Sequence, residues 1–292
     1  MRIDLHTHSS VSDGTQSPAE VVREAAAAGL DVVALTDHDT TDSWDEAAVA
    51  AAEVGIVLVR GLEISARFAG QGVHLLGYLP DPTHQPLIDA LQKILDGRNS
   101  RVPAVLARLQ ALGIGIVLDD ILEVSGDAAA VGRPHIADAL IAKGVVQSRE
   151  EAFARFLGPR GPAYVDRYAA PLEEMIGLVR DAGGVSVIAH PWGRYDHSAL
   201  DEAALAHLRA LGLAGIEVDH NDHDEATRAE LHAIAENLGM VATGSSDYHG
   251  VGKEDHPLGC NLTSVEAYEA LLELAAEASA RSGRITPGVL TA

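Results

Sequence analysis

The feature that most constrains this chain is an alternation. Short runs rich in valine, isoleucine and leucine recur along it, separated by alanine-rich stretches with helical spacing. Seven runs read as strands: Ile3–His8, Val32–Asp37, Ile56–Glu63, Val73–Leu79, Val185–His190, Gly215–Asp219 and Val241–Ser246. Most are apolar at successive positions, as strands covered on both faces must be. Helical patterns lie between them at Pro18–Ala28, Ser43–Val54, Ala203–Leu211 and Glu225–Leu238. Ser17-Pro18-Ala19-Glu20 combines a capping serine, a proline at the first helical position and an acid in the first turn. Gly29, Gly55, Gly212 and Gly239 stand where the helices should stop. Strands alternating with helices imply a parallel sheet, open or closed, and seven runs favour a barrel of about seven units. No GxGxxG follows the first strand, which argues against a dinucleotide-binding sheet.

One connection breaks the rhythm. The stretch from Leu79 to Val185 is more than three times the roughly 30 residues that a crossover helix and its loops require. The surplus reads as a mostly helical insertion at 99–168, with helices over Val102–Leu112 and His135–Lys143 and breaks at Gly132, Pro134, Gly158, Pro159, Gly161 and Pro162. The expected organisation is a barrel built from 1–98 and 169–292, with the insertion capping its mouth.

Composition narrows the function. A net charge of −22 over 292 residues argues against binding long nucleic acid or an anionic membrane, since both need a basic face. A small phosphorylated substrate in a local pocket remains compatible. No apolar run is long enough to span a bilayer, and Met-Arg-Ile-Asp-Leu-His lacks the apolar core of a signal peptide, so a cytoplasmic location is expected. The single cysteine, Cys260, excludes an internal disulfide framework and a four-cysteine zinc site, and reads as a small buried apolar residue. No obligatory protein partner is evident.

The chemistry is concentrated in the 14 histidines and their acidic neighbours. His6 and His8, two apart on a strand, face the same way and can reach one ion. Asp13 follows in a polar loop, His38 and Glu63 sit at the ends of the second and third strands, and His74 opens the fourth. His190 ends the fifth, and Asp247 and His249 follow the seventh. Singly, each has an ordinary structural reading. Together these nine stand on or beside six strands, and the C-terminal strand ends of a parallel barrel converge on one mouth. Nitrogen and oxygen donors without thiolate suit zinc, manganese, iron or cobalt. Nine donors exceed one coordination sphere and imply two or three ions with a bridging carboxylate. His84, His197, His207, His220, His223, His232 and His256 are set aside, and Asp219-His220-Asn221-Asp222-His223-Asp224 is read as helix capping. Asp37 and Asp39 are read as orienting or capping groups. Gly-x-Ser-x-Gly is absent, so no serine nucleophile is expected.

Asp4-Leu5-His6-Thr7-His8-Ser9, Thr36-Asp37-His38-Asp39, Gly61-Leu62-Glu63, His190-Pro191 and Ser246-Asp247-Tyr248-His249 resemble, in order, the motifs of the polymerase-and-histidinol-phosphatase (PHP) family of metal-dependent phosphoesterases. The resemblance implies a distorted (β/α)7 barrel with a trinuclear site. It assigns His6, His8, Glu63 and Asp247 to a first ion; Glu63, His74 and His190 to a second; and Asp13, His38 and His249 to a third. Manganese is the expected metal. Asp13 stands where many members have a histidine. The long insertion and Gly132-Arg133-Pro134-His135 resemble the branch that removes the 3′-phosphate of nucleoside 3′,5′-bisphosphates, adenosine 3′,5′-bisphosphate giving AMP, by attack of metal-activated hydroxide. In that reading Asp13, His38, Glu63 and Asp247 carry catalysis. Arg133, His135 and Arg194 are candidates for substrate phosphate, arginine being the better fork. The proton donor to the leaving oxygen stays open among nearby histidines, a bound water and Asp37. Rival readings are a 5′–3′ exonuclease on short RNA, a histidinol-phosphate phosphatase, an accessory module of a polymerase, and an amidohydrolase.

Overall fold

The computed structural model describes residues 1–126, 128–193 and 197–290. From the N-terminus run β1 (Ile3–Thr7), α1 (Pro18–Ala27), β2 (Val32–Leu35), α2 (Trp44–Val54), β3 (Val57–Phe68) and β4 (Gln71–Tyr78). Helices α3 (Gln85–Ser100), α4 (Val102–Ala111), α5 (Leu118–Ser125), α6 (Arg133–Ala142) and α7 (Arg149–Ala152) follow. The chain then returns through β5 (Ala170–Pro171), α8 (Leu172–Asp181), β6 (Val185–Ile188), α9 (Glu202–Leu211), β7 (Gly215–Asp219), α10 (Glu225–Leu238), β8 (Val241–Gly244) and α11 (Val265–Ser282). Local signals act as expected at α1. Ser17 Oγ accepts from the Glu20 amide at 3.3 Å, and the Glu20 carboxylate accepts from the Ser17 amide at 2.8 Å.

One sheet runs in the order β1-β2-β3-β4-β6-β7-β8, with the short β5 beside the outer half of β3. Beyond β8, the Tyr248 carbonyl accepts from the His8 amide at 2.9 Å, so the two edges meet and the barrel nearly closes. The apolar core lies on both sides of the strands. Tyr268, Leu271 and Ala275 of α11 pack against Ile3, Leu5, Val32 and Val187, while α1 and α2 cover Val33, Leu35 and Leu58. Helices α8 to α10 cover Leu75, Ile188 and Ile216. Among the described residues no helix is long and apolar enough to cross a membrane.

The sheet departs from the expected parallel arrangement at one strand. β4 is antiparallel to both β3 and β6. β3 continues past Glu63 to Phe68, turns over Ala69 (φ 47°) and Gly70 (φ 81°), and comes straight back. A two-residue turn with both central residues at positive φ matches the right-handed twist of the strands it joins. Reversal matters for function, because it brings the start of β4, not its end, to the mouth.

Residues between α3 and β5 form a separate apolar cluster, including Val105, Leu109, Ile121, Ile136, Leu140 and Leu157. This region touches the loop after β1. The Ala129 amide donates to the Val11 carbonyl and Arg149 Nη1 to the Asp13 carbonyl, both at 2.9 Å. Cys260 is exposed rather than buried, because the turn carrying it runs along the surface.

Candidate metal centre

All nine sequence-derived donors converge at the mouth of the barrel. Glu63 lies at the centre, 1 % exposed. Its Oε2 is 3.3 Å from His6 Nε2, 3.1 Å from His8 Nε2 and 3.2 Å from His38 Nδ1. Its Oε1 is 2.7 Å from His74 Nδ1 and 3.2 Å from His190 Nε2. His74 reaches it diagonally across the β3–β4 pair, where Glu63 faces Leu76 and Ser65 faces His74. Asp247 Oδ1 is 3.4 Å from both His6 Nε2 and His8 Nε2. Asp13 sits on the other side of His8, with Oδ1 3.3 Å from His249 Nε2 and Oδ2 3.7 Å from His38 Nε2. Three linked groups result: His6, His8, Glu63 and Asp247; His38, Glu63 and His74; and His8, Asp13, His38 and His249.

The donor chemistry fits divalent ions. His6 Nε2 and His8 Nε2 lie 3.1 Å apart. Nδ1 of His6 is 3.1 Å from Glu217 Oε1, a carboxylate oxygen that accepts its proton, so Nε2 is the nitrogen turned to His8 and the carboxylates. Burial opposes a charged ring, yet Glu217, Glu63 and Asp247 hold its pKa well above the usual imidazole range, and an ion bound there would displace the Nε2 proton. Four tetrahedral donors held about 2.0–2.1 Å from zinc or a similar ion would stand about 3.3–3.4 Å from each other. Five such separations in the first group span 3.1–3.4 Å. The charges point the same way. Burial opposes ionisation of Glu63, Asp13 and Asp247, yet the surrounding histidines, and Lys253 at Asp247, hold all three well below the usual carboxylate range. Burial likewise opposes a charged His8, yet Asp247, Glu63 and Asp13 raise it to about 9. Burial drives the His38 imidazole down to about 3 despite Glu63 and Asp13, leaving it neutral and able to ligate. His190 (φ 29°) and Asp247 (φ 53°) both hold positive-φ backbone conformations, which non-glycine residues adopt at cost and mostly at functional sites.

Two further residues belong here, Glu217, which the sequence reading passed over, and His220, which it set aside. Glu217 is fully buried on β7, and its Oε2 accepts from the His190 amide at 2.8 Å while Oε1 holds His6. The signal was available: an acid inside Ile216-Glu217-Val218, a run otherwise built for burial. His220 Nε2 lies 3.4 Å from Asp247 Oδ2, and Lys253 Nζ bonds the same oxygen. The loop read as helix capping therefore divides, since Asp224 does cap α10 through the Thr227 amide at 2.8 Å. Asp222 and His256 with His220 form a further acid–histidine group beside the centre.

Asp37 clasps the loop that carries Asp13. Its carboxylate accepts from the Ser9 amide (2.8 Å), Ser9 Oγ (2.7 Å) and Ser12 Oγ (2.7 Å), so it positions rather than donates. Asp39 accepts from the Ser65 amide and Oγ and from Arg98 Nε. Of the three substrate candidates, Arg133 and His135 both lie in the first turn of α6. Arg133 donates to the Leu157 carbonyl at 3.1 Å and lies over the rings of Phe153 and Tyr164. His135 is buried, and its Nδ1 accepts from the Gly132 amide at 3.0 Å. Arg194 lies outside the described residues.

Barrel and donor set define a metal-dependent phosphoesterase of the PHP type. Residues 4–108 match the PHP domain profile, and the chain belongs to this family. Among particular relatives, it is 38% identical over 260 residues to the 3′,5′-nucleoside bisphosphate phosphatase of Chromobacterium violaceum, covering 88% of this chain and 90% of that one. It is 34% identical over 249 residues to the 5′-3′ exoribonuclease of Haemophilus influenzae, covering 85% and 90%. The solved structure of a protein from Bifidobacterium adolescentis, classed as a metal-dependent phosphoesterase, superposes with a TM-score of 0.89 at 36% identity, over 93% of this chain and 96% of that one.

Proposed function

We propose that this protein removes the 3′-phosphate of nucleoside 3′,5′-bisphosphates, with adenosine 3′,5′-bisphosphate giving AMP and phosphate. Two or three divalent ions, manganese first, would be held by His6, His8, Asp13, His38, Glu63, His74, His190, Asp247 and His249. The observation that carries the reaction class is the convergence of His6 Nε2, His8 Nε2, Glu63 Oε2 and Asp247 Oδ1 at ion-coordinating separations. Similarity to the Chromobacterium violaceum phosphatase over most of both chains supports the substrate.

Ions in such a site lower the pKa of bound water, screen the phosphate oxygens and align attacking and leaving oxygens. The chain's own groups prepare the donors. Glu217 accepts the His6 Nδ1 proton, turning Nε2 inward. The Asp247 carbonyl accepts from His249 Nδ1 at 2.8 Å, directing His249 Nε2 to Asp13. Lys253 and His220 engage Asp247 Oδ2, leaving Oδ1 to face His6 and His8. Asp37 fixes the Ser9–Ser12 segment, and Asp13 with it. Buried donors fixed in this way need little rearrangement as the reaction proceeds.

Exonuclease action on short RNA is the second reading, favoured by the Haemophilus influenzae relative. The net charge of −22 restricts such substrates to short ones. Turnover by the manganese-loaded protein should be compared across adenosine 3′,5′-bisphosphate, adenosine 3′-phosphate and histidinol phosphate, read as released phosphate, a 5′-phosphorylated short RNA, read as released mononucleotide, and an aryl amide, read as released arylamine. The bisphosphate should give the highest kcat/KM. Preference for histidinol phosphate or the amide would overturn the assignment, and preference for RNA would select the second reading.

A further inference from the structure

Asp13 differs from most of the other donors in where it stands. His6, Glu63 and His74 lie on strands, whereas Asp13 lies in the loop after β1. It is also the carboxylate of the group His8, Asp13, His38 and His249. A donor on a loop keeps its place only if the loop is held. From the barrel side, Asp37 holds this loop at Ser9 and Ser12. The Asp13 peptide is held from the other side, by the insertion: Arg149 Nη1 donates to the Asp13 carbonyl at 2.9 Å.

Arg149 is fixed to make that bond. It opens α7, which is capped by Ser148, whose Oγ accepts from the Glu151 amide at 3.1 Å. Its Nε and Nη2 both donate to the Asp138 carboxylate, each at 2.6 Å, a two-point fork that sets the plane of the guanidinium. Asp138 belongs to α6, where Ile136, Ala137, Ala139 and Leu140 are buried in the insertion's own apolar cluster. Burial disfavours the Arg149 charge, but Asp138 and Asp13 prevail and raise its pKa above the ordinary guanidinium value. The same guanidinium fills the space beside Gly252, where a Cβ would stand 2.7 Å from its Cζ. Gly252 follows His249 in the loop after β8, so Arg149 lies against both loops that bring Asp13 Oδ1 within 3.3 Å of His249 Nε2. All three of its side-chain nitrogens are bonded to protein acceptors, so it presents no open fork to a substrate.

We infer that Arg149, clamped by Asp138, is a positioning residue for the ion at Asp13, His38 and His249, so that the docked insertion sets the affinity of that one position. This rests on the reading of the nine donors under Proposed function, and not on which substrate reacts. Without the tie the donors remain, but the loop is free to carry Asp13 away from His249 and His38. Loss of a group that orients a metal ligand typically costs about 10- to 100-fold in affinity. The other two donor groups are built on the strands and their ends, and should keep their ions.

Manganese titration of the full chain, followed by calorimetry and by the electron paramagnetic resonance of the free ion, separates the binding steps. Asp13→Asn identifies the step that belongs to Asp13. In Arg149→Met that step should weaken about 10- to 100-fold, with the other steps within twofold of wild type. Asp138→Asn should shift it in the same direction by less, and Arg149→Lys, which keeps one charged donor, should recover part of the loss. At saturating manganese, kcat for adenosine 3′,5′-bisphosphate should return and KM should match wild type. An unchanged Asp13 step in Arg149→Met overturns the proposal. So does equal weakening of every step with a lowered melting temperature of the metal-free protein, which would mark a structural role, and so does a KM still raised at saturating manganese, which would mark a substrate contact. A wild-type chain with no step sensitive to Asp13→Asn refutes the donor reading, and the proposal with it. Failure to cleave the bisphosphate refutes the proposed substrate alone, and the titration still decides the role of Arg149.

Discussion

Replacing Glu217 by glutamine tests how the centre is organised without touching any of its nine donors. The wild-type carboxylate accepts twice, from His6 Nδ1 at 3.1 Å and from the His190 amide at 2.8 Å. Glutamine has almost the same shape but only one accepting oxygen, so its NH2 group must face one of two N–H donors. If the amide faces His6, the imidazole must move its proton to Nε2 and lose the lone pair aimed at His8, Glu63 and Asp247. If it faces His190, a buried amide is left unbonded at a residue already held at φ 29°. Leaving a buried donor unsatisfied costs about 1–3 kcal/mol, which is roughly 5- to 150-fold in a coupled equilibrium. Loss of an outer partner of a ligating histidine typically weakens metal binding by about 10- to 100-fold, the same range. Competition with a chelating dye should therefore show manganese affinity reduced about 10- to 100-fold in Glu217→Gln. Activity should return at saturating manganese, since the donors remain. An affinity within twofold of wild type, in a protein whose circular dichroism is unchanged, would refute the reasoning. So would a kcat that stays low at saturating metal.

Glu63→Ala should lose more than one ion per chain by elemental analysis, because Glu63 stands in two of the three donor groups; full metal content with full turnover would contradict its central role. Hydrolysis in heavy-oxygen water should place one labelled oxygen in the released phosphate and none in the nucleoside, whereas label in the nucleoside hydroxyl would mean cleavage at carbon. Burial pushes the Glu217 carboxyl up, but His6, His220 and His190 prevail and hold it at about 2, against 4.5 for the free group. Its ionisation should thus stabilise the metal-free fold by roughly 3 kcal/mol above pH 4.5 and progressively less toward pH 2, so the stability gap between wild type and Glu217→Gln should close over that window in denaturant titrations. A gap unchanged at pH 2–3 would be inconsistent with this.

Much of the molecule was written locally. The capping box at Ser17, the glycine stops and the apolar runs depend on neighbours a few residues apart, so α1, α2 and the strand positions could be read directly. The donor set was legible for a related reason. Once strands alternate with helices, residues at the C-terminal strand ends must meet, and His6, His8, His38 and His190 needed only that rule. What escaped depended on direction and on contacts between remote segments. Periodicity identifies a strand but not which way it runs, and the turn at Ala69-Gly70 sets His74 against Glu63 by reversing β4. Glu217 looked like one more residue of an apolar run until β7 brought it beneath His6, 211 positions away in the chain. His220 passed for helix capping because its partner, Asp247, lies beyond the next strand. Local chemistry determined which elements form, whereas the burial of distant charges against one another, a property of the closed barrel, decided what those charges do.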